Sequence, residues 1–228
     1  MTTLTLAGLI ESMIQNRLNE VHSALPAKII SYDADKQEAA VQPLINRLYH
    51  DDDSEIQPTI AAVPVIFPSA ATGSLTFPIG VGDIVLLIFS EQSLDNWLFS
   101  DGKASVDPED HRRFHYSDAI AIPGLYPFKK APGGSNTDVV LRFNIGTASE
   151  NKISLKPNGD IDIDTPTNYT INAASMVVNC PLTVNDDIHS TGTITGDVDV
   201  IAGTVSGKTH VHPYTDNGSP SVTSSPTP

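Results

Sequence analysis

Residues 139–207 alternate apolar and polar side chains almost without pause, and no other feature restricts the fold of this chain as tightly. The pairs Ile153/Leu155, Ile161/Ile163, Tyr169/Ile171, Leu182/Val184 and Val198/Val200 recur at period two, bounded by Asn, Gly, Pro or Thr. That is the pattern of short, half-buried strands. Between Pro157 and Gly207 there are seven Asp, no Glu, Lys or Arg, and Tyr169 as the sole aromatic. Strands with so little apolar surface cannot close a core within one chain, and repetition of this kind buries its apolar side by stacking on neighbours. The units are too irregular for a single-chain solenoid with fixed rungs. Several chains wound together solve the problem. Three give a narrow prism with Ile, Val and Leu inside and Asp, Thr and Asn outside.

In "GDIDIDT" this arrangement puts Asp160, Asp162 and Asp164 on the outer face if Ile161 and Ile163 point inward. A charged outer ladder then discourages edge pairing. A carboxylate pair for glycoside hydrolysis is the alternative, but like neighbours with no apolar pocket to raise one pKa make poor acid/base partners.

Upstream the pattern changes twice. Leu6, Leu9, Ile10, Met13, Arg17 and Val21 follow helical spacing, with Ile14 and Leu18 widening the stripe, which predicts an amphipathic helix over 6–21. Thr3 or Thr5 can cap it, and Pro26 lies beyond its end. Its apolar face packs either on its own domain or on a partner. From 26 to 128 the chain reads as short β runs: "AKIISYD" and "EAAVQPLI" around the turn "ADKQ", then "IAAVPVIF", "GSLTFPIG" and "VGDIVLLIF". Five strands in about a hundred residues suit an OB-fold barrel. The acidic run "HDDDSE" at 50–55 reads as a solvated loop, because contiguous carboxylates repel one another. "KKAPGGSNTD", 129–138, is a linker by composition. The expected organisation is a helix over 1–25, a barrel over 26–128, a linker over 129–138, a trimeric β-helix over 139–207, and an apex and tail over 208–228. The fold class is mainly β.

Charge removes several functions. With 27 acidic and 13 basic residues the net charge is −14, which repels nucleic-acid phosphate. The N-terminal stretch lacks a basic region and carries Glu11 within its apolar run, so it does not read as a secretion signal. Cys180 is the single cysteine and is expected to be a small buried apolar side chain. His22, His50, His111, His115 and His189 need no special role.

"GKTHVHPYTDNG" at 207–218 is different. On a strand, His210 and His212 project to the same face. One chain offers two imidazoles, too few for a firm metal site. Around the three-fold axis of a prism they become six, which suits an octahedral ion rather than tetrahedral zinc. A filled shell leaves no open position, so such a site is structural rather than catalytic.

The order helix, OB-like barrel, linker, acidic β-prism and terminal His-x-His resembles the central baseplate spike family, the membrane-puncturing needles of contractile-tailed bacteriophages. The segment "DNWLFSDGKASVDPEDHRRFHYSDAIAIPGLYPF", 95–128, resembles the closing portion of the barrel in one branch of that family. The matching residues are Arg112 or Arg113, then Ser117-Asp118-Ala119, then Pro123-Gly124-Leu125. The resemblance implies a homotrimer, a virion component at the tail baseplate. Its N-terminal and barrel regions would dock on the tail hub, and its tip would be driven through the host outer membrane. It also implies one iron ion per trimer, held by three copies of His210 and His212, and no enzymatic activity, since no lysozyme-like domain is present. A trimeric tailspike or adhesin that binds or cleaves surface glycans is the alternative. It requires aromatic platforms or a carboxylate pair along 139–207, where 157–207 has one Tyr and no Glu. An OB-fold oligonucleotide binder conflicts with the charge.

Overall fold

The computed structural model describes residues 5–49, 53–108, 110–203, 205–207 and 209–224. Thr3, Glu109 and residues 50–52 of the acidic run lie outside them; Asp53, Ser54 and Glu55 are exposed. The chain divides into two compact units, Met1–Thr167 and Asn168–Pro228.

The first unit opens with α1, Leu6–Asn19. The Thr5 hydroxyl accepts a hydrogen bond from Gly8 N–H at 3.2 Å, satisfying one orphan donor of the first turn. None of its residues is buried. Leu6, Leu9, Ile10, Met13, Ile14 and Leu18 all lie exposed. The opposite side, Glu11, Ser12, Gln15 and Asn19, lines a shallow groove with Leu48 and Tyr49. The helix therefore shows its polar side to its own domain and its apolar stripe to the outside.

The half-barrel follows, built from β1 (Ala24–Asp33), β2 (Glu38–Pro43), β3 (Ile60–Pro64), β4 (Ile84–Phe89) and β5 (Ala119–Pro123). The spatial order is β3-β2-β1-β4-β5, with every neighbour antiparallel. The sheet curls until its two edges meet, where Val65 bridges Ala121 and Ile66 N–H donates to Ala121 O at 3.0 Å. Burial alternates strictly along β2 and β4, as period-two strands with one inward face require. Ile29, Val41, Val63, Val65, Val85 and Leu87 form the centre of the core. Gly82, at φ 95°, makes the turn into β4, a left-handed conformation that a side chain would strain.

Two sequence expectations change here. "GSLTFPIG" is not a barrel strand: Gly73–Ser74 pairs briefly with Ser69–Ala70, and residues 75–80 form a loop. Pro78 cannot donate to a ladder, and the run offers no matching edge. The fifth strand is instead "AIAIP", 119–123, whose small alanines point into the crowded core.

After a short 3₁₀ turn at Phe128–Lys130, the same unit holds a separate antiparallel sheet. Its strands are β6 (Val139–Phe143), β7 (Asn151–Leu155) and β8 (Ile161–Asp164), in that order. Only this first part of 139–207 forms a multi-stranded sheet in the single chain. Residues 165–200 contain no strand, and Tyr169, Ile171, Val177, Leu182, Ile188, Ile194 and Val198 are all exposed. Cys180 is exposed with them rather than buried as expected, because this stretch has no core for it to enter.

The second unit ends in two hairpins, Ile201–Ala202 with Val205–Ser206, and β9 (Pro213–Asp216) with β10 (Ser219–Val222). Asn217 and Gly218, at φ 46° and 81°, form the connection between β9 and β10. Both central residues in the left-handed region give the tight turn that Asn-Gly favours. No helix among the described residues is long and apolar enough to cross a membrane.

Candidate functional site

The segment between β4 and β5 carries the most tightly organised polar cluster of the half-barrel. Arg112 donates from Nε to Asp118 Oδ2 at 2.7 Å and from Nη2 to Asp118 Oδ1 at 2.9 Å, a bidentate pair. The same guanidinium reaches Asp95 at 2.6 Å and Asp110 at 3.1 Å. Asp118 is 1% exposed, and its Oδ1 also accepts Leu94 N–H at 2.9 Å. Burial alone would raise the Asp118 carboxyl. Arg112 and the Leu94 amide outweigh it and hold the group below the ordinary carboxylate range. The inward arginine is thus Arg112; Arg113 lies exposed, 3.8 Å from Glu91. The cluster fastens the 90–118 excursion to the start of β5.

Residues 25–124 match the family model described as phage protein Gp138 N-terminal domain. Over these residues the chain is similar to that family. The match bears out the resemblance to phage baseplate spikes read from 95–128, and it fits a virion component. No curated protein matches the chain.

Another polar site of the half-barrel lies beside the end of α1. The His22 ring packs between Phe89 and Tyr116, with centroids 5.3 and 5.2 Å away. Burial, then the nearby Arg47 and His115, push its pKa down. The adjoining cleft of about 410 Å³ is lined by Arg47, Tyr49, Glu55 and Tyr116 among others. Its phenols are already engaged: Tyr49 donates to Glu55 at 2.6 Å and Tyr116 to Pro58 O. His111 and His115 are exposed, as is His189; His50 lies outside the described residues.

In the three-stranded sheet the outer aspartates have partners that the sequence reading did not foresee. Asp164 lies 3.1 Å from Lys152, directly across the ladder, and Asp162 pairs with Lys156. Arg142 and Glu150 pair at 2.7 Å on the same sheet. Carboxylates neutralised in this way complete a surface.

At the C-terminal end, residues 210–212 precede β9 and are not themselves in a strand. The two imidazoles still come together, with centroids 5.2 Å apart and planes nearly perpendicular. His210 Nδ1 lies 2.9 Å from Ser206 O. A carbonyl can only accept, so Nδ1 is the donor here, and in a neutral ring Nε2 is then the nitrogen with the lone pair. Metal-ligating histidines are commonly oriented by this kind of backbone hydrogen bond. His212 N–H donates to Thr223 Oγ1 at 2.8 Å, and Thr223 N–H returns to His212 O at 2.9 Å. The β9–β10 hairpin therefore folds the tail back beside His212, a feature whose signal, Asn217-Gly218, was present in the sequence. Among the described residues no group of three or more His, Cys, Asp or Glu side chains could hold a metal within one chain. The imidazoles fit an ion only if other copies contribute theirs.

Proposed function

We propose that this chain is one subunit of a homotrimeric, non-enzymatic spike at the tip of a contractile phage tail baseplate, driven mechanically through the host outer membrane. The observation that carries the proposal is the stretch 165–200, where backbone without a ladder and a long row of exposed apolar side chains occur together. Such a stretch becomes stable when identical neighbours supply both the hydrogen bonds and the apolar contacts. Intertwined ladders give the stiffness that transmits force, and they leave no free edge.

The Gp138-type match supports the phage setting, and the half-barrel, an OB-type barrel on this reading, is the part that would dock on the tail hub. At the other end, three copies of His210 and His212 would hold one iron ion. The ion would supply a clamp on three chain ends, and the choice of iron rests on the family resemblance. Ser206 orients His210 through its carbonyl, and Thr223 holds the returning tail against His212.

The test is light scattering with elemental analysis on the purified protein. The expected result is a trimer mass with about one iron per three chains, lost when His210 and His212 are changed to Ala. A monomer would overturn the reading. A metal-free trimer would keep the needle and remove this role for the histidines.

A further inference from the structure

The sheet of β6, β7 and β8 has two faces of opposite character. Val139, Leu155 and Ile161 stand directly opposite one another across its three strands, as do Leu141, Ile153 and Ile163. With Phe143 they make an apolar face, each side chain between 40% and 70% exposed, ending at Asn151 opposite Phe143 and bordered by Leu75, Phe77 and Pro78. A monomer rarely leaves so contiguous a patch in water. The other face is finished: Arg142–Glu150, Lys152–Asp164 and Lys156–Asp162 are paired on it, and Ser154 is buried.

Both edges are also open. In this sheet β6 and β8 each pair with β7 alone. Arg142 on β6 and Asp162 and Asp164 on β8 are each paired with an opposite charge of the same chain. Neither edge strand contains Pro, so these edges are less guarded than the bare aspartate ladder of the sequence suggests.

We infer that this sheet is one third of a closed β-collar, in which β8 of each copy pairs with β6 of the next and the apolar faces point inward. The inference rests on the trimeric reading above and specifies where the three chains first meet. Strands β6 and β8 run parallel to each other, since each is antiparallel to β7. A rotation about an axis along the strands preserves their direction, so the same parallel β8–β6 ladder repeats at every junction and the ring closes.

Three copies supply nine strands. About eight already enclose an interior just wide enough for side chains to fill, and the Leu, Ile and Phe here are large enough for slightly more. Closure buries no charge, because the inward residues are seven apolar side chains and the uncharged amide of Asn151 at one end. Two copies stacked face to face would cover the apolar side but leave four edges unpaired. The collar also passes the chain directly into 165–200, the stretch that contains no strand.

Peptide-level hydrogen–deuterium exchange on the full-length protein tests this, with light scattering on the same sample. In an isolated sheet, about half the amides of an edge strand face solvent and exchange fast. The expected result is a trimer in which 139–143 and 161–164 are protected as strongly as 151–155. A trimer whose two edge peptides keep a fast-exchanging half overturns the collar and leaves the trimer standing. A monomer overturns the trimeric reading itself. Ile153→Glu supplies a second arm: it should lower the mass to that of one chain while exchange over β1 and β2 stays unchanged, which shows that the half-barrel is still folded. A variant that remains trimeric with unaltered edge exchange also overturns the collar.

Discussion

Arg112 holds Asp118 by two parallel hydrogen bonds of 2.7 and 2.9 Å, and through them it ties the long β4–β5 excursion to the first residue of β5. The carboxylate is almost wholly removed from water, whereas the guanidinium keeps about a fifth of its side-chain surface exposed and spreads its remaining donors to Asp95 and Asp110. A buried ion of this kind is tolerated because every one of its strong acceptors is matched.

Removing Arg112 should therefore destabilise the half-barrel far more than removing its neighbour. Arg112→Ala leaves Asp118 buried and uncompensated, a loss of about 3–5 kcal/mol. Arg113→Ala, at an exposed and loosely paired position, should stay within about 0.5 kcal/mol. Arg112→Lys should recover little, since an ammonium cannot reproduce the fork. Urea unfolding of the three variants checks this. Equal midpoints for the two alanine variants would refute the assignment of Arg112 as the inward arginine.

The same pair sets an acid limit. The Asp118 pKa is lower in the folded state than in the unfolded chain. Its contribution is complete above the ordinary Asp value of about 3.9 and is lost as pH falls through the folded value. Stability should drop below about pH 4, and Asp118→Asn should flatten that drop while lowering stability at neutral pH. Thermal melts across pH 2–7 read both effects, and parallel profiles for variant and parent would rule out Asp118 as the cause.

His22 predicts a second, milder pH dependence. Its folded pKa is depressed by burial between Phe89 and Tyr116 and by Arg47 and His115. The folded state thus prefers the neutral ring. Its stabilising contribution is present above the ordinary His value of about 6.5 and is lost as pH falls through the folded value. Replacing His22 with Gln should remove the part of the melting-temperature decline that begins just below pH 6.5. A variant that declines as the parent does would show that another group titrates there.

What could be read in advance follows from range. The hairpin of β1 and β2, the Gly82 turn and the alternation along β4 depend on neighbours in sequence, and the residues announce them. The role of "AIAIP" as closing strand depends on β4 and on the bridge to Val65, both far away in the chain, and alanines carry a weak strand signal. Two adjacent arginines cannot be told apart locally, because Asp95 and Asp118 decide which one turns inward. The histidine pair was legible as a pair, but the Ser206 carbonyl that orients His210 was not. The hairpin beyond it went unread because "PYTD" and "SPSV" are too polar to look like strands, although Asn217-Gly218 marked the turn.

The exposed stripe of α1 gives a prediction about what does not change. Ile10→Glu and Met13→Glu lie on the side turned away from the half-barrel and groove. They should alter its unfolding free energy by no more than about 0.5 kcal/mol. If the stripe serves an assembly contact, as its exposure argues, the same changes should weaken that contact. Exchange protection over β1–β5 checks the first statement. A large loss there would mean that the helix packs on its own domain.

The tail hairpin can be tested through one backbone position. Gly218 sits at φ 81°, and a Cβ there would meet no neighbouring atom, so any effect of substitution comes from the backbone rather than from a clash. Gly218→Val forces a β-branched residue into the left-handed region, a strain of roughly 1–3 kcal/mol. A two-stranded hairpin is only marginally stable by itself, so this strain should open β9–β10. The Thr223 contacts to His212 should then be lost. The Ser206 contact to His210 precedes the hairpin and should persist. In imidazole NMR spectra, His212 should shift toward the values of an unstructured histidine while His210 stays near its parent position. Two histidines that move together would show that the pair is held as one unit by the tail, and that Ser206 does not fix His210 independently.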